Sequence, residues 1–181
     1  MSKSRLSRRY AKALFSLGRE DGSFGQYGQE LALFSSFCRE HEDFGQVISN
    51  RVFSVEDRKK ILKAVLDKSD FSGIVKNFLN LLLDKERIGA VEAISDHYGV
   101  LTDEALNIAN ADIVTAKPLK NEILEKINKS LEELTSKTIR SKVSEDPDLI
   151  GGVLVKIGDL VLDGSIKAQL EGLKESFKRG E

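Results

Sequence analysis

Through the first hundred residues, apolar side chains recur every three or four positions, and strict alternation of apolar and polar residues is absent. This spacing is typical of amphipathic helices. The segment Ser54-Val55-Glu56-Asp57 has a capping serine followed by an acidic first turn, as a helix start requires. We therefore expect six helices, at about residues 4–20, 27–39, 43–49, 54–66, 71–85 and 88–106.

The pattern changes after residue 106. Ile113, Val114 and Thr115 suit a strand, and Ile139, Ser141 and Val143 alternate with polar residues. The pattern predicts a helix beginning near Pro118, a β-hairpin turning at Gly158-Asp159 and a last helix capped by Ser165. The predicted fold is mainly α, with an N-terminal six-helix bundle in residues 1–106 and a small α+β domain in residues 107–181.

Two of the predicted helices are more apolar than a bundle core requires. At about 100° per residue, the apolar arc of each spans roughly 200°, whereas an arc a little over 100° is enough to face a core. In the first helix the arc contains Leu6, Tyr10, Ala11, Ala13, Leu14, Phe15 and Leu17. In the fifth it contains Phe71, Ile74, Val75, Phe78, Leu79, Leu81, Leu82 and Leu83.

These surplus faces have three interpretations. Both helices can be central and covered by the other four. Part of each face can instead line an exposed groove that binds a partner helix. The first helix, which also carries basic residues, can alternatively lie on an anionic membrane surface.

Composition narrows the class of protein. Hydrophobic residues make up 40% and charged residues 31% of the 181 residues, which favours a packed, ordered chain. Lys+Arg total 28 and Asp+Glu total 29, a balance that argues against a nucleic-acid binder. The basic stripe of residues 3–12 is expected to be the solvated side of its helix. No apolar run is long enough to cross a bilayer.

The sequence offers little chemistry for catalysis. Cys38 is the single cysteine, and His41 and His97 are the two histidines. The chain therefore has few side chains that could ligate a metal ion or act in histidine-based catalysis. Gly151-Gly152 is not followed by the Lys-Ser/Thr of a phosphate-binding loop. We predict no catalytic, cofactor-binding or metal-ligating residue and no cofactor.

Two segments carry a family resemblance. They are RRYAKALF at residues 8–15 and DPDLIGGVLVKIGD at 146–159, the latter continuing as LDGSIKAQL at 162–170. With the chain length and the order of helical and mixed regions, they resemble the delta subunit of bacterial F-type ATP synthase, the counterpart of the mitochondrial oligomycin-sensitivity-conferring protein. The second segment is the more specific, because its turn, strand, hairpin and capped helix match in order.

The resemblance implies a stator subunit that is not an enzyme. It would link the catalytic alpha–beta head to the b subunits of the peripheral stalk and resist co-rotation during proton-driven ATP synthesis. The first and fifth helices would bind the N-terminal helix of an alpha subunit. The candidate contacts on these helices are Tyr10, Ala13, Leu14, Leu17, Phe78, Leu79 and Leu82.

The C-terminal domain would bind the b subunits. The residues that match the family signature there are Gly151, Gly152, Asp163, Gly164 and Ser165, which we expect to set local turns. No presequence is expected, because the first motif begins near Arg8. The implied location is peripheral, on the cytoplasmic face of the bacterial inner membrane, with membrane association only through the complex.

Two other functions are kept as alternatives. One is a free-standing helical adaptor or regulatory module that binds a different partner helix. The other is a small-molecule enzyme, which a pocket lined by convergent ionisable groups would favour.

Overall fold

The computed structural model describes the backbone of residues 3–179 and the side chains of residues 5–171 and 174. The chain is mainly helical, with a small four-stranded sheet. The helices are α1 (Lys3–Glu20), α2 (Phe24–Glu40), α3 (Glu42–Ser49), α4 (Val55–Leu66), α5 (Gly73–Asp84), α6 (Val91–Ala105), α7 (Asn121–Thr135) and α8 (Ile166–Arg179). The strands are β1 (Ile108–Thr115), β2 (Thr138–Glu145), β3 (Val153–Ile157) and β4 (Leu160–Asp163).

The chain divides into two compact units, Met1–Thr102 (unit 1) and Asp103–Glu181 (unit 2). Each has its own hydrophobic core. The division falls within the last turns of α6.

The core of unit 1 is built from aliphatic and aromatic side chains of α1 to α6. Phe15 of α1 lies in an edge-on ring contact with Tyr98 of α6, at 5.7 Å between centroids. The Tyr98 hydroxyl donates to the carbonyl oxygen of Phe24 at 2.9 Å, which gives this buried phenol its polar partner. Burial raises the pKa of Tyr98, so the ring stays neutral.

The predicted starts of α2 and α7 each differ from the observed start by three residues. α2 begins at Phe24 rather than Tyr27, because Phe24 packs against the core of unit 1 and extends the helix backwards. α7 begins at Asn121 rather than near Pro118, because Lys120 is still extended, with φ −72° and ψ 145°. Leu119, which precedes α7, packs against the core of unit 2. In both cases tertiary packing decides where the helix begins.

Unit 2 is a mixed sheet with the strand order β2-β1-β3-β4. β1 pairs in parallel with β2, and α7 makes the connection between them. β1 pairs antiparallel with β3, and β3 forms the predicted hairpin with β4. Residues of α7 cover one face of the sheet, where Ile113, Leu131 and Val155 form the centre of the core.

Candidate docking surfaces

α1 has a buried face and an apolar flank that is left exposed. Leu14 is 1% exposed and lies within the core of unit 1. Ala13 and Leu17 point outward, and Leu17 is 49% exposed. Tyr10, which lies at the border between the buried face and the exposed flank, is half-buried. The edge of the wide apolar arc of α1 that contains Ala13 and Leu17 is therefore available to a partner.

α5 repeats this arrangement. Leu79 and Leu82 are fully buried, and Phe78 is 8% exposed. Ile74 and Leu81 remain 37% and 44% exposed, although they are large aliphatic residues. At about 100° per residue, both lie on the Phe78 side of the helix rather than beyond Leu79.

One aromatic contact brings the two flanks together. The rings of Tyr10 and Phe78 meet edge to face, with centroids 6.3 Å apart. The exposed apolar residues of α1 and α5 lie on the sides of their helices that carry these two rings. We call this surface the α1–α5 seam, and it consists of Tyr10, Ala13, Leu17, Ile74, Phe78 and Leu81.

The seam differs in part from the contact residues chosen on sequence. Leu14, Leu79 and Leu82 lie inside the core, so they support the two helices from behind and do not present a surface. Ile74 and Leu81 take their place. Both belonged to the apolar arc of the fifth helix, but an arc that is apolar in both halves does not reveal which half the other helices will cover.

The structure brings the five signature residues of unit 2 together. The backbone around Gly151 and Gly152 runs against the turn at Gly164 and Ser165, where Gly164 N–H donates to Val153 at 2.9 Å and Ile166 N–H donates to Gly151 at 3.0 Å. Gly152 has φ +82°, and a Cβ there would lie 2.2 Å from the Gly164 carbonyl oxygen. The glycines therefore permit a backbone contact that no side chain would allow.

Asp163 and Ser165 fix the start of α8 at this turn. The Asp163 Oδ1 accepts a hydrogen bond from Ser165 N–H at 2.9 Å, and this bond lowers the pKa of the Asp163 carboxyl. The Ser165 Oγ accepts from Ala168 N–H at 3.1 Å, which caps the helix. These signature residues set the path of the chain.

An apolar patch is exposed next to this turn. Leu160 and Leu162 of β4 pair with Ile157 and Val155 of β3, so they lie on the sheet face that α7 covers. Both nevertheless stay exposed. Ile166 and Leu170, at the start of α8, are exposed as well, and we call these four residues the β4–α8 patch.

The described residues contain no arrangement typical of an enzyme. A hollow of about 620 Å³ between α2 and α4 is lined mainly by apolar residues such as Leu33, Phe37 and Phe71, and its charged residues are Glu40 and Lys68. Within the described part of the chain, no cluster of His, Cys, Asp or Glu could hold a metal ion. None of the described helices has the length and apolarity to span a membrane.

Comparisons with known proteins give a consistent result. The sequence model of the family described as ATP synthase delta (OSCP) subunit matches residues 6–177. ATP synthase subunit delta of Desulfatibacillum aliphaticivorans is 45% identical over 181 residues, covering 100% of this chain and 99% of its own length. The corresponding protein of Desulfotalea psychrophila is 38% identical over 181 residues, covering 100% of both chains.

The fold also has a counterpart among solved structures. A chain in the cryo-EM structure of the Toxoplasma gondii mitochondrial ATP synthase hexamer superposes with a TM-score of 0.71. The match covers 95% of this chain and 97% of the other, at 17% sequence identity. At that identity, the likeness concerns the fold.

Proposed function

Because the chain belongs to the ATP synthase delta (OSCP) subunit family, we propose which of its surfaces perform the stator role of that family. The protein is a structural, non-catalytic subunit of F-type ATP synthase and acts in its stator. In our proposal, unit 1, with a bundle of six helices, binds the catalytic head, and unit 2 binds the peripheral stalk.

The α1–α5 seam is the proposed site for the head, and its occupant is the N-terminal helix of an alpha subunit. The observation that carries this proposal is the pair of outward apolar flanks, with Leu17 at 49% and Leu81 at 44% exposure on either side of the Tyr10–Phe78 contact. An amphipathic helix that lies along the seam would remove these side chains from water. Each well-buried leucine contributes about 1.5 to 3 kcal/mol.

Such a contact suits a subunit that bears load. Many weak apolar contacts along a helix must break together before the partner leaves, so dissociation is slow. Leu14, Leu79 and Leu82 contribute indirectly, because they anchor both helices in the core of unit 1.

Replacing Leu17 or Leu81 with aspartate tests the seam. A charge in a dry apolar contact opposes binding, so each variant is expected to bind a peptide of the alpha N-terminal helix about 10- to 100-fold more weakly. Leu33→Asp makes the same change at a leucine of α2 that is even more exposed, and this control variant should retain full affinity. Wild-type affinity in both seam variants, or equal losses in all three, would remove the seam from consideration.

The β4–α8 patch is the proposed site for the b subunits. Leu160 and Leu162 continue the apolar face of the sheet beyond the part that α7 covers, which leaves room for a partner helix beside α7. The partner would complete the second layer of this two-layer unit. Membrane association then comes only through the stalk, with the subunit on the cytoplasmic face of the bacterial inner membrane.

Leu162→Asp tests this second site. We expect about tenfold weaker binding to the soluble part of the b subunits, with binding of the alpha peptide unchanged. Leu134→Asp, at an exposed position of α7, provides the control. A free-standing adaptor, the alternative function, would bind neither partner even as the wild-type chain.

A further inference from the structure

A second hollow lies on the other flank of α1. It measures about 320 Å³ and is lined by Arg8 and Lys12 of α1 and by His97, Val100 and Leu101 of α6. Arg8 and Lys12 lie roughly 150° around the helix from the α1 residues of the seam. The hollow is therefore separate from the proposed site for the alpha subunit.

The lining combines an apolar base with a basic rim. Most of its surface is apolar, and Val100 is 54% exposed there. Its ionisable residues are Arg8, Lys12 and His97, with no acidic residue among them. Among the described side chains, the ion pairs involve neither Arg8 nor Lys12. A ligand with carboxylates and an aliphatic group would complement both parts of this lining.

The basic residues near the start of α1 are also unfavourable for the helix dipole. Its 18 residues, KSRLSRRYAKALFSLGRE, contain six basic residues and one acidic residue, and the first turn has no acidic residue. Cations near a helix N-terminus oppose the macrodipole, whereas α4 begins favourably with Glu56 and Asp57. Arg9 has a partner inside the fold, since its guanidinium lies over the Tyr10 ring, but no ion pair of the described side chains compensates Arg8 or Lys12. A local rule broken without compensation points to a role outside the fold.

We propose that the hollow between α1 and α6 docks an acidic amphipathic segment of a partner protein. Carboxylates of that segment would pair with Arg8 and Lys12, and an aliphatic side chain would enter between Val100 and Leu101. Charge-assisted pairs with arginine are the stronger and more directional part of such a contact. The apolar base adds affinity that depends on the shape of the inserted side chain.

The surroundings favour a protein segment over a lipid surface. To lie in a membrane, α1 would have to expose its main apolar face to lipid. That face is packed in the core of unit 1, where Leu6, Ala11, Leu14 and Phe15 are all buried. What stays accessible is a concave hollow, which fits an inserted side chain better than a broad bilayer surface.

A charge-reversal experiment on the full chain tests the proposal. The probe is a fluorescent amphipathic peptide of about 18 leucine and glutamate residues, and its counterpart carries lysine for glutamate. Arg8→Glu combined with Lys12→Glu should weaken binding of the acidic peptide at least about tenfold. Arg19→Glu combined with Lys63→Glu makes the same change of charge at exposed positions outside the hollow and should leave affinity within about twofold.

The apolar base is tested separately. Val100→Gln keeps the net charge and does not lower the helical propensity, and it should weaken binding of the acidic peptide about fivefold. Leu17→Asp changes the α1–α5 seam and should not change binding of the acidic peptide to the hollow. Failure of the hollow proposal is therefore distinguishable from failure of the proposed function. Circular dichroism checks that each variant keeps its helix content.

Several results would overturn the proposal. Equal binding of the acidic and basic peptides would do so, and so would unchanged binding in the Arg8/Lys12 variant or in Val100→Gln. Binding to phosphatidylglycerol vesicles that depends on Arg8 and Lys12, without binding of the peptide, would assign the hollow to lipid. Self-association lost in the same variant would assign it to a second copy of this chain.

Discussion

Gly152 and Gly158 illustrate how a single residue fixes the path of the chain in unit 2. Both have positive φ, +82° at Gly152 and +57° at Gly158. Nothing lies within 4 Å of a Cβ built at Gly158, whereas a Cβ at Gly152 would overlap the backbone of the turn before α8. Substitutions at these two glycines therefore distinguish the cost of a left-handed backbone conformation from the cost of a steric clash.

We expect Gly158→Ala to lower the free energy of unfolding of unit 2 by about 1 kcal/mol, the strain of a left-handed alanine. Gly152→Ala should cost clearly more, because the added methyl group also forces two backbone segments apart. Urea denaturation followed by circular dichroism measures both. Equal losses in the two variants would show that the close approach at Gly152 is unimportant.

Cys38 provides a second prediction for a single residue. Burial raises the pKa of its thiol to about 11, and the half-buried side chain packs against the core of unit 1. Since the thiolate is the reactive form, alkylation by iodoacetamide at pH 8 should be at least about tenfold slower in the folded protein than in urea. Mass spectrometry of timed samples measures this ratio, and equal rates would mean that the thiol is freely accessible.

Helix starts decide the architecture at the scale of elements, and two of them use the same capping device. Ser54 Oγ accepts from Asp57 N–H at 3.1 Å at the start of α4, and Ser72 Oγ accepts from Val75 N–H at 3.3 Å at the start of α5. Ser72 has an additional role. Its N–H and hydroxyl donate to Oε2 of the buried Glu30 at 2.9 and 2.7 Å, which joins α2 to α5.

Ser54→Ala and Ser72→Ala should therefore differ in effect. Ser54→Ala removes the cap and an exposed hydroxyl bond to the Asp57 carboxylate, and is expected to lower the free energy of unfolding by about 1 kcal/mol. Ser72→Ala should lower it by about 2 kcal/mol or more, because the Glu30 carboxylate also loses a hydrogen-bond donor in a buried setting. Chemical denaturation of both variants provides the measurement, and a smaller loss for Ser72→Ala would contradict the importance of the Glu30 link.

The same scale shows what the sequence reveals and what it does not. The start of α4 and the hairpin of β3 and β4 were predicted correctly, because Ser54 with Asp57, and the Gly158-Asp159 turn, are local signals. The start of α2 was missed, because Gly25 weakens the helical pattern in the turn before Tyr27. The buried half of α5 was unpredictable, since it depends on which helices cover Leu79 and which leave Leu81 exposed.

At the scale of the whole molecule, acid is expected to destabilise both units, because each contains aspartates whose pKa is lowered in the folded state. The Tyr27 hydroxyl bonded to Asp21, and the Ser54 hydroxyl bonded to Asp57, lower the pKa values of these carboxyls in unit 1. In unit 2, the Ser165 N–H lowers the pKa of Asp163. A lowered pKa in the folded state means that protons bind the unfolded state more readily, so stability is full above the ordinary aspartate value of 3.8 and is lost as the pH falls below it.

Asp163→Asn should reduce this pH dependence. The amide oxygen can still accept from Ser165 N–H but does not titrate, so unit 2 should lose less stability than the wild type between pH 6 and pH 3. Urea unfolding at a series of pH values measures the difference. An identical pH profile in the variant would show that Asp163 does not contribute.

The strand order has a consequence for how force can pass through unit 2. The chain leaves α6 at Ala105 and enters β1 at Ile108, and β1 is an inner strand, in register with β2 over eight residue pairs and with β3 over five. A pull on the chain at this end therefore loads two ladders of hydrogen bonds in shear at once, instead of unzipping an edge strand one bond at a time. Rupture then requires both ladders to break together, so this connection is suited to bearing repeated cycles of tension.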